Sequence, residues 1–170
     1  MRPACAAVIA GAAQGLCAAP APPEAAAPPN APAGETVNHQ ARGEFDVTLK
    51  PLEPYNTDPA AQMGRMSIDK RFHGALEATS KGEMVSAMTP VKGSAAYVAL
   101  EQVTGTLDGR HGSFVLQHSA TMNRGAPALN IAVVPDSGTQ ELTGVSGTMD
   151  IIITEGRHSY VFHYQLPADR

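Results

Sequence analysis

Residues 132–166 read AVVPDSGTQELTGVSGTMDIIITEGRHSYVFHYQL, and their punctuation decides the fold. A short apolar strand through Ala132 and Val133 is broken by Pro135-Asp136-Ser137-Gly138. Gly144 and Gly147 follow at a spacing no helix tolerates well. An Ile-rich strand over residues 143–154 then meets a turn at Glu155-Gly156-Arg157. Residues 158–166 return as a strand with Tyr160, Phe162 and Tyr164 on one face. Two period-two strands around a tight glycine turn predict an antiparallel hairpin.

The same grammar extends towards the N-terminus. Phe45, Val47 and Leu49 alternate with polar residues until Pro51, which ends the strand. Residues 52–64 read as a loop or short helix. Met66, Ile68, Lys70 and Phe72 share the face of a second strand. Gly74 and Gly82 bracket a third, short one, and residues 83–89 make the next. Residues 95–107 and 113–122 flank Asp108-Gly109, a type I′ turn pair. Asn123-Arg124-Gly125 turns the chain into a strand over residues 129–134. Seven to nine antiparallel strands without crossover helices close into a barrel or stack as a sandwich. Glycines 105, 112, 144 and 147, in or beside long strands, permit the bends a barrel needs and favour it.

The start of the 170-residue chain reads differently. Arg2 precedes an Ala-rich, uncharged run, then small residues and proline, the layout of a cleaved secretory signal peptide over residues 1–19. Residues 20–39 form a Pro/Ala-rich linker, and the folded domain is expected over residues 40–170. Both cysteines, Cys5 and Cys17, lie in the leader, so the domain has neither a disulfide nor a thiolate metal site. The expected setting is periplasmic or secreted. The apolar run is too weak for a stable membrane span. A net charge of −4 with no basic cluster argues against nucleic acid.

Residues 132–166 resemble the allene oxide cyclase barrel-like superfamily, which includes the plant cyclases and dirigent proteins. The resemblance rests on Ala132, Val133, Ser137 and Gly138, on the Gly144/Gly147 pair, and on the closing strand with Tyr160, Phe162 and Tyr164. Residues 103–118 (VTGTLDGRHGSFVLQH) look more like an uncharacterised bacterial family placed in the same superfamily. The resemblance implies an all-β, eight-stranded antiparallel barrel with a central cavity, often in trimers. It carries no catalytic residue over to this chain.

The chemistry must come from polar residues facing the lumen. Tyr97, Glu101 and Val103 share one face of the strand before Asp108. Phe114, Leu116 and His118 share one face of the strand after it. With a two-residue Asp108-Gly109 turn, Glu101 lies opposite Leu116 and diagonal to His118; with Gly109-Arg110 as the turn, it lies opposite His118 itself. This more apolar face is expected inward. The pair then serves as general acid and base, or as a satisfied polar pair holding the hairpin in register. If the face is misassigned, Glu101 meets solvent instead. Tyr97, Phe114, Leu116, Tyr160, Phe162 and Tyr164 are candidate ligand-contacting residues, or simply core.

The six histidines do not converge: His111 and His118, like His158 and His163, are separated by odd numbers of residues and diverge along regular strands. Residues 138–147 lack the ending and following helix of a phosphate loop, and no serine has a nucleophile-elbow context. No cofactor is expected. The leading expectation is an exported barrel holding a small, largely apolar molecule. Its rivals are a cofactor-free isomerase or cyclase, and a self-filled barrel used for assembly.

Overall fold

A computed structural model describes residues 36–60 and 62–167. The expected leader and most of the expected linker lie outside the described residues. Eight strands follow in chain order: β1 (Thr36–Leu52), β2 (Met63–Gly74), β3 (Leu76–Met88), β4 (Ala95–Leu107), β5 (Arg110–Asn123), β6 (Ala126–Val133), β7 (Ser146–Thr154) and β8 (Arg157–Pro167). Each pairs antiparallel with its neighbours, and β8 returns to β1, so the sheet closes into a barrel. Closure gives every strand a neighbour on both sides, although β6 and β7 are joined at one register position.

Three hairpins have two-residue turns with both central residues at positive φ: Asp108-Gly109, Arg124-Gly125 and Glu155-Gly156. This type I′ geometry follows the twist of the flanking strands. At the first of these turns it sets Leu107 opposite Arg110, and hence Glu101 opposite Leu116.

The strands depart from the expected boundaries in three places. β1 begins at Thr36, earlier than Gln40, because its first residues pair with the end of β8; His39 stacks on Tyr164 there at 5.0 Å. Pro51 does not end β1 but pairs opposite Met66. β8 has by then stopped pairing with β1, so the missing N–H of proline leaves no ladder bond unmade. The two short strands expected around Gly82 are one strand, β3. Gly82 lies opposite Glu101, and a Cβ there would come within 2.4 Å of the Leu100 carbonyl oxygen and 3.0 Å of the Glu101 Cβ.

The seam between β6 and β7 is short, with Ala132 opposite Thr148. The first half of β5 pairs with the β6–β7 loop instead. The Thr139 N–H donates to the Ser113 carbonyl at 2.9 Å, and the Val115 N–H donates to the Ser137 hydroxyl oxygen at 3.0 Å. A turn of 3₁₀ helix, Gln140–Leu142, then carries Leu142 over the space left by the absent side chain of Gly112. The Ser137-Gly138 run thus closes one end of the barrel.

That end is filled. Phe114 stacks on Phe162 at 5.5 Å and Phe162 on Tyr164 at 5.3 Å, while Phe72 meets Tyr160 edge-on at 5.6 Å. Leu76, Leu107, Leu142 and Val145 complete the plug. Two of the ring hydroxyls also bind the barrel's rim. Tyr164 donates to Asp108 in the β4–β5 turn at 2.5 Å. Tyr160 accepts from the Leu76 N–H at 2.9 Å and donates to the His73 carbonyl at 3.2 Å, tying down the β2–β3 corner around Gly74. Tyr160→Phe keeps the ring and removes both bonds. It should lower unfolding free energy by about 1–3 kcal/mol, the cost of an orphaned buried N–H, measured as a shift in urea midpoint at unchanged m-value.

Candidate functional site

Inward-facing positions change character part-way along the barrel. Below lies the aromatic plug; above it, four adjacent strands each contribute a polar side chain to one layer. These are Lys70 on β2, Ser80 on β3, Glu101 on β4 and His118 on β5, all buried. Lys70 sits opposite Ser80, and Glu101 lies one step diagonal to Ser80, so the alternation of the strands is what brings the groups together.

Glu101 is the centre of the layer and has no solvent exposure. The Ser80 hydroxyl donates a short hydrogen bond to its Oε1. Its Oε2 accepts from the Lys70 ammonium at 2.7 Å and lies 3.0 Å from the His118 Nε2. That His118 contact is close but poorly aligned, and the buried Nε2 makes no well-directed hydrogen bond. Lys70 also lies over the rings of Phe45 and Phe72, with its nitrogen 5.1 and 5.6 Å from their centroids.

Burial alone would push the Glu101 carboxyl up. The His118 contact, the Lys70 charge and hydrogen bond, and the Ser80 hydroxyl outweigh it and hold the group at about 2. Glu101 is therefore an anion at neutral pH with both oxygens engaged, an anchor for three side chains. The Tyr97 phenol is raised, first by burial and then by the Glu101 charge, so it keeps its proton.

Above this layer the lumen is open. A cavity of about 350 Å³ is walled by Phe45, Val47, Leu49, Met84, Leu129 and Ile151 among others, with Lys70 and His118 at its base and Tyr97 and His158 on its sides. At the mouth, Leu49 and Ile153 remain 47% and 64% exposed, so the barrel is a cup, plugged at one end and apolar-lipped at the other.

The structure thus brings Glu101 and His118 into contact inside the lumen. Tyr97 borders the cavity. Phe114, Leu116, Tyr160, Phe162 and Tyr164 face inward but pack into the core beyond the polar layer, outside the lining of the cup. Lys70 and Ser80 were not among the expected site residues. The signal for Lys70 was present: it shares its strand face with Met66, Ile68 and Phe72, where a charge is out of place. Among the described residues, no group of three His, Cys, Asp or Glu side chains is arranged to hold a metal ion.

The fold and cup define a closed eight-stranded lumenal barrel with a charged layer across its middle. The family model for DUF3224, a protein family of unknown function, matches residues 41–164, and the chain belongs to that family. A crystal structure of a DUF3224 protein of unknown function from Shewanella oneidensis MR-1 is 51% identical, with a TM-score of 0.74. The match covers 79% of this chain and 100% of that one. No curated protein matches the chain.

The depressed Glu101 carboxyl has a consequence for stability. An unfolded glutamate titrates near 4.5 and the folded one near 2, so the native state binds fewer protons. The resulting stabilisation, about 3 kcal/mol, is complete above about pH 5 and drains away as pH falls towards 2. Glu101→Gln should abolish this dependence. The stability gap between wild type and variant, from urea unfolding, should narrow by about 2–3 kcal/mol between pH 5 and pH 2.5. A constant gap would mean that Glu101 titrates alike in both states.

Proposed function

We propose that this barrel binds a small, largely apolar molecule in the open half of its lumen. The observation that carries the reading is the cup itself: a largely apolar wall around about 350 Å³, with Lys70 and His118 at its base and Tyr97 and His158 on its sides. Small-molecule sites share this build, a few polar groups fixing orientation within a hydrophobic enclosure. Apolar burial supplies the drive, at about 25 cal/mol per Å² before ordering costs. A barrel serving only assembly would have no use for a lumen left unfilled at one end.

A second reading, a cofactor-free isomerase or cyclase, draws on the His118 ring bordering the cavity beside an ionised carboxylate. There a confined substrate would exchange a proton with His118 while Glu101 holds the ring. Loss of turnover with retained affinity in Glu101→Gln would support it. Placement in the allene oxide cyclase-like superfamily, with its trimers, belongs to this proposal on the residues at 132–166. So does export, on the composition of the leader; N-terminal sequencing of the mature protein should find residues 1–19 removed.

The binding test uses a small neutral apolar dye, 1-naphthylamine, whose eleven heavy atoms suit the cavity and whose emission shifts and rises on leaving water. It should bind wild type in one-to-one stoichiometry. Val47→Trp fills the cup from a half-buried lumenal position and should weaken binding at least about tenfold with an unchanged far-ultraviolet spectrum. Equal binding by the variant would place the dye elsewhere and sink the lumenal reading.

A further inference from the structure

The base of the cup, unlike its walls, carries a buried charge. Its one obligate acceptor, the Glu101 carboxylate, is withdrawn from the cavity lining and already engaged by Ser80, Lys70 and His118. What faces the cavity at this level is the Lys70 ammonium, a pure donor, beside the His118 ring. The Lys70 ammonium has three N–H groups and makes one hydrogen bond, to Glu101 Oε2. Its aromatic neighbours Phe45 and Phe72 offer ring faces and no lone pairs. Two ammonium N–H groups therefore remain at the bottom of a largely apolar cavity, on a side chain that is 6% exposed. Unmet buried donors are costly, and a ligand atom that accepts them recovers that cost. The protonated phenol of Tyr97, further up the wall, offers another donor.

We infer that the lumen selects an apolar molecule whose inner end carries a hydrogen-bond-accepting oxygen, a carbonyl or a carboxylate, seated on the Lys70 ammonium. The inference rests on the lumenal-binding reading and specifies its ligand. An amine head would bring a second cation against Lys70 in a space without a free carboxylate. A bare hydrocarbon would leave the ammonium unsatisfied. At roughly 30 Å³ per water-sized group, the cavity takes about ten to twelve heavy atoms, which sets the length of the probes.

The experiment displaces 1-naphthylamine with four ten-carbon probes that differ at one end: decanoate, methyl octyl ketone, decylamine and decane. Decanoate and the ketone should each compete at least about tenfold more strongly than decane or decylamine, since a hydrogen bond to a buried charge is worth that much. Decanoate ahead of the ketone would identify a carboxylate as the natural head, and the reverse order a carbonyl. Lys70→Met alone would strand the Glu101 charge, so the double variant Lys70→Met/Glu101→Gln, which removes both charges, is the control. In it the ratio of decanoate or ketone affinity to decane affinity should fall to near one. Decylamine competing as well as decanoate would overturn the inference and leave lumenal binding standing. So would a head-group preference that survives the double variant. Failure of the dye to bind wild type would overturn both.

Discussion

A carboxylate removed from water has to be neutralised where it stands, and the middle of this barrel is organised around that requirement. Glu101, fully enclosed, draws Ser80, Lys70 and His118 from three neighbouring strands onto its two oxygens. Desolvating such a pair costs several kcal/mol per ion, and only close, multiple contacts recover it. The contacts in turn demand room at the base of β3, which Gly82 provides by having no side chain opposite Glu101. An alanine at that position would press on the backbone of β4.

The charged layer also divides the lumen into two different environments. Towards the closed end, stacked rings and the Leu142 plug leave a dry core whose tyrosine hydroxyls bind the rim. Towards the open end, side chains of similar apolarity line the wall without meeting across it. An eight-stranded barrel is just wide enough for either outcome, filling itself or holding one small guest. Here both occur in one cylinder, and the ammonium at the boundary is positioned by the carboxylate behind it.

Much of the architecture was legible along the chain. The paired positive-φ turns at Asp108-Gly109 and Glu155-Gly156 act over a few residues, and β4 matched its expected bounds residue for residue. Alternation placed Glu101 and His118 on one face, and the two-residue turn set their diagonal relation. Less legible were features whose cause lies on another strand. Gly82 read as a break because strands seldom carry glycine, yet it is a seat for Glu101. Pro51 read as a terminator because the end of β8's pairing could not be known from β1. Lys70 was visible on an apolar face, but its partner lies 31 residues away across two strand pairings.

The sequence by itself determined the antiparallel hairpins and which side chains share a strand face, because turn chemistry and the two-residue period are local properties; it left the β4–β5 register open between two turns and did not settle which face points inward. Only the tertiary structure decided which inward residues meet. Closing the sheet brings β8 onto β1, gathers Phe72, Phe114, Tyr160, Phe162 and Tyr164 at one end and leaves the other hollow. It also turns a lysine, a serine, a glutamate and a histidine on four separate strands into one charged floor. Those distances depend on the curvature and stagger of the whole cylinder, which no single stretch of chain encodes.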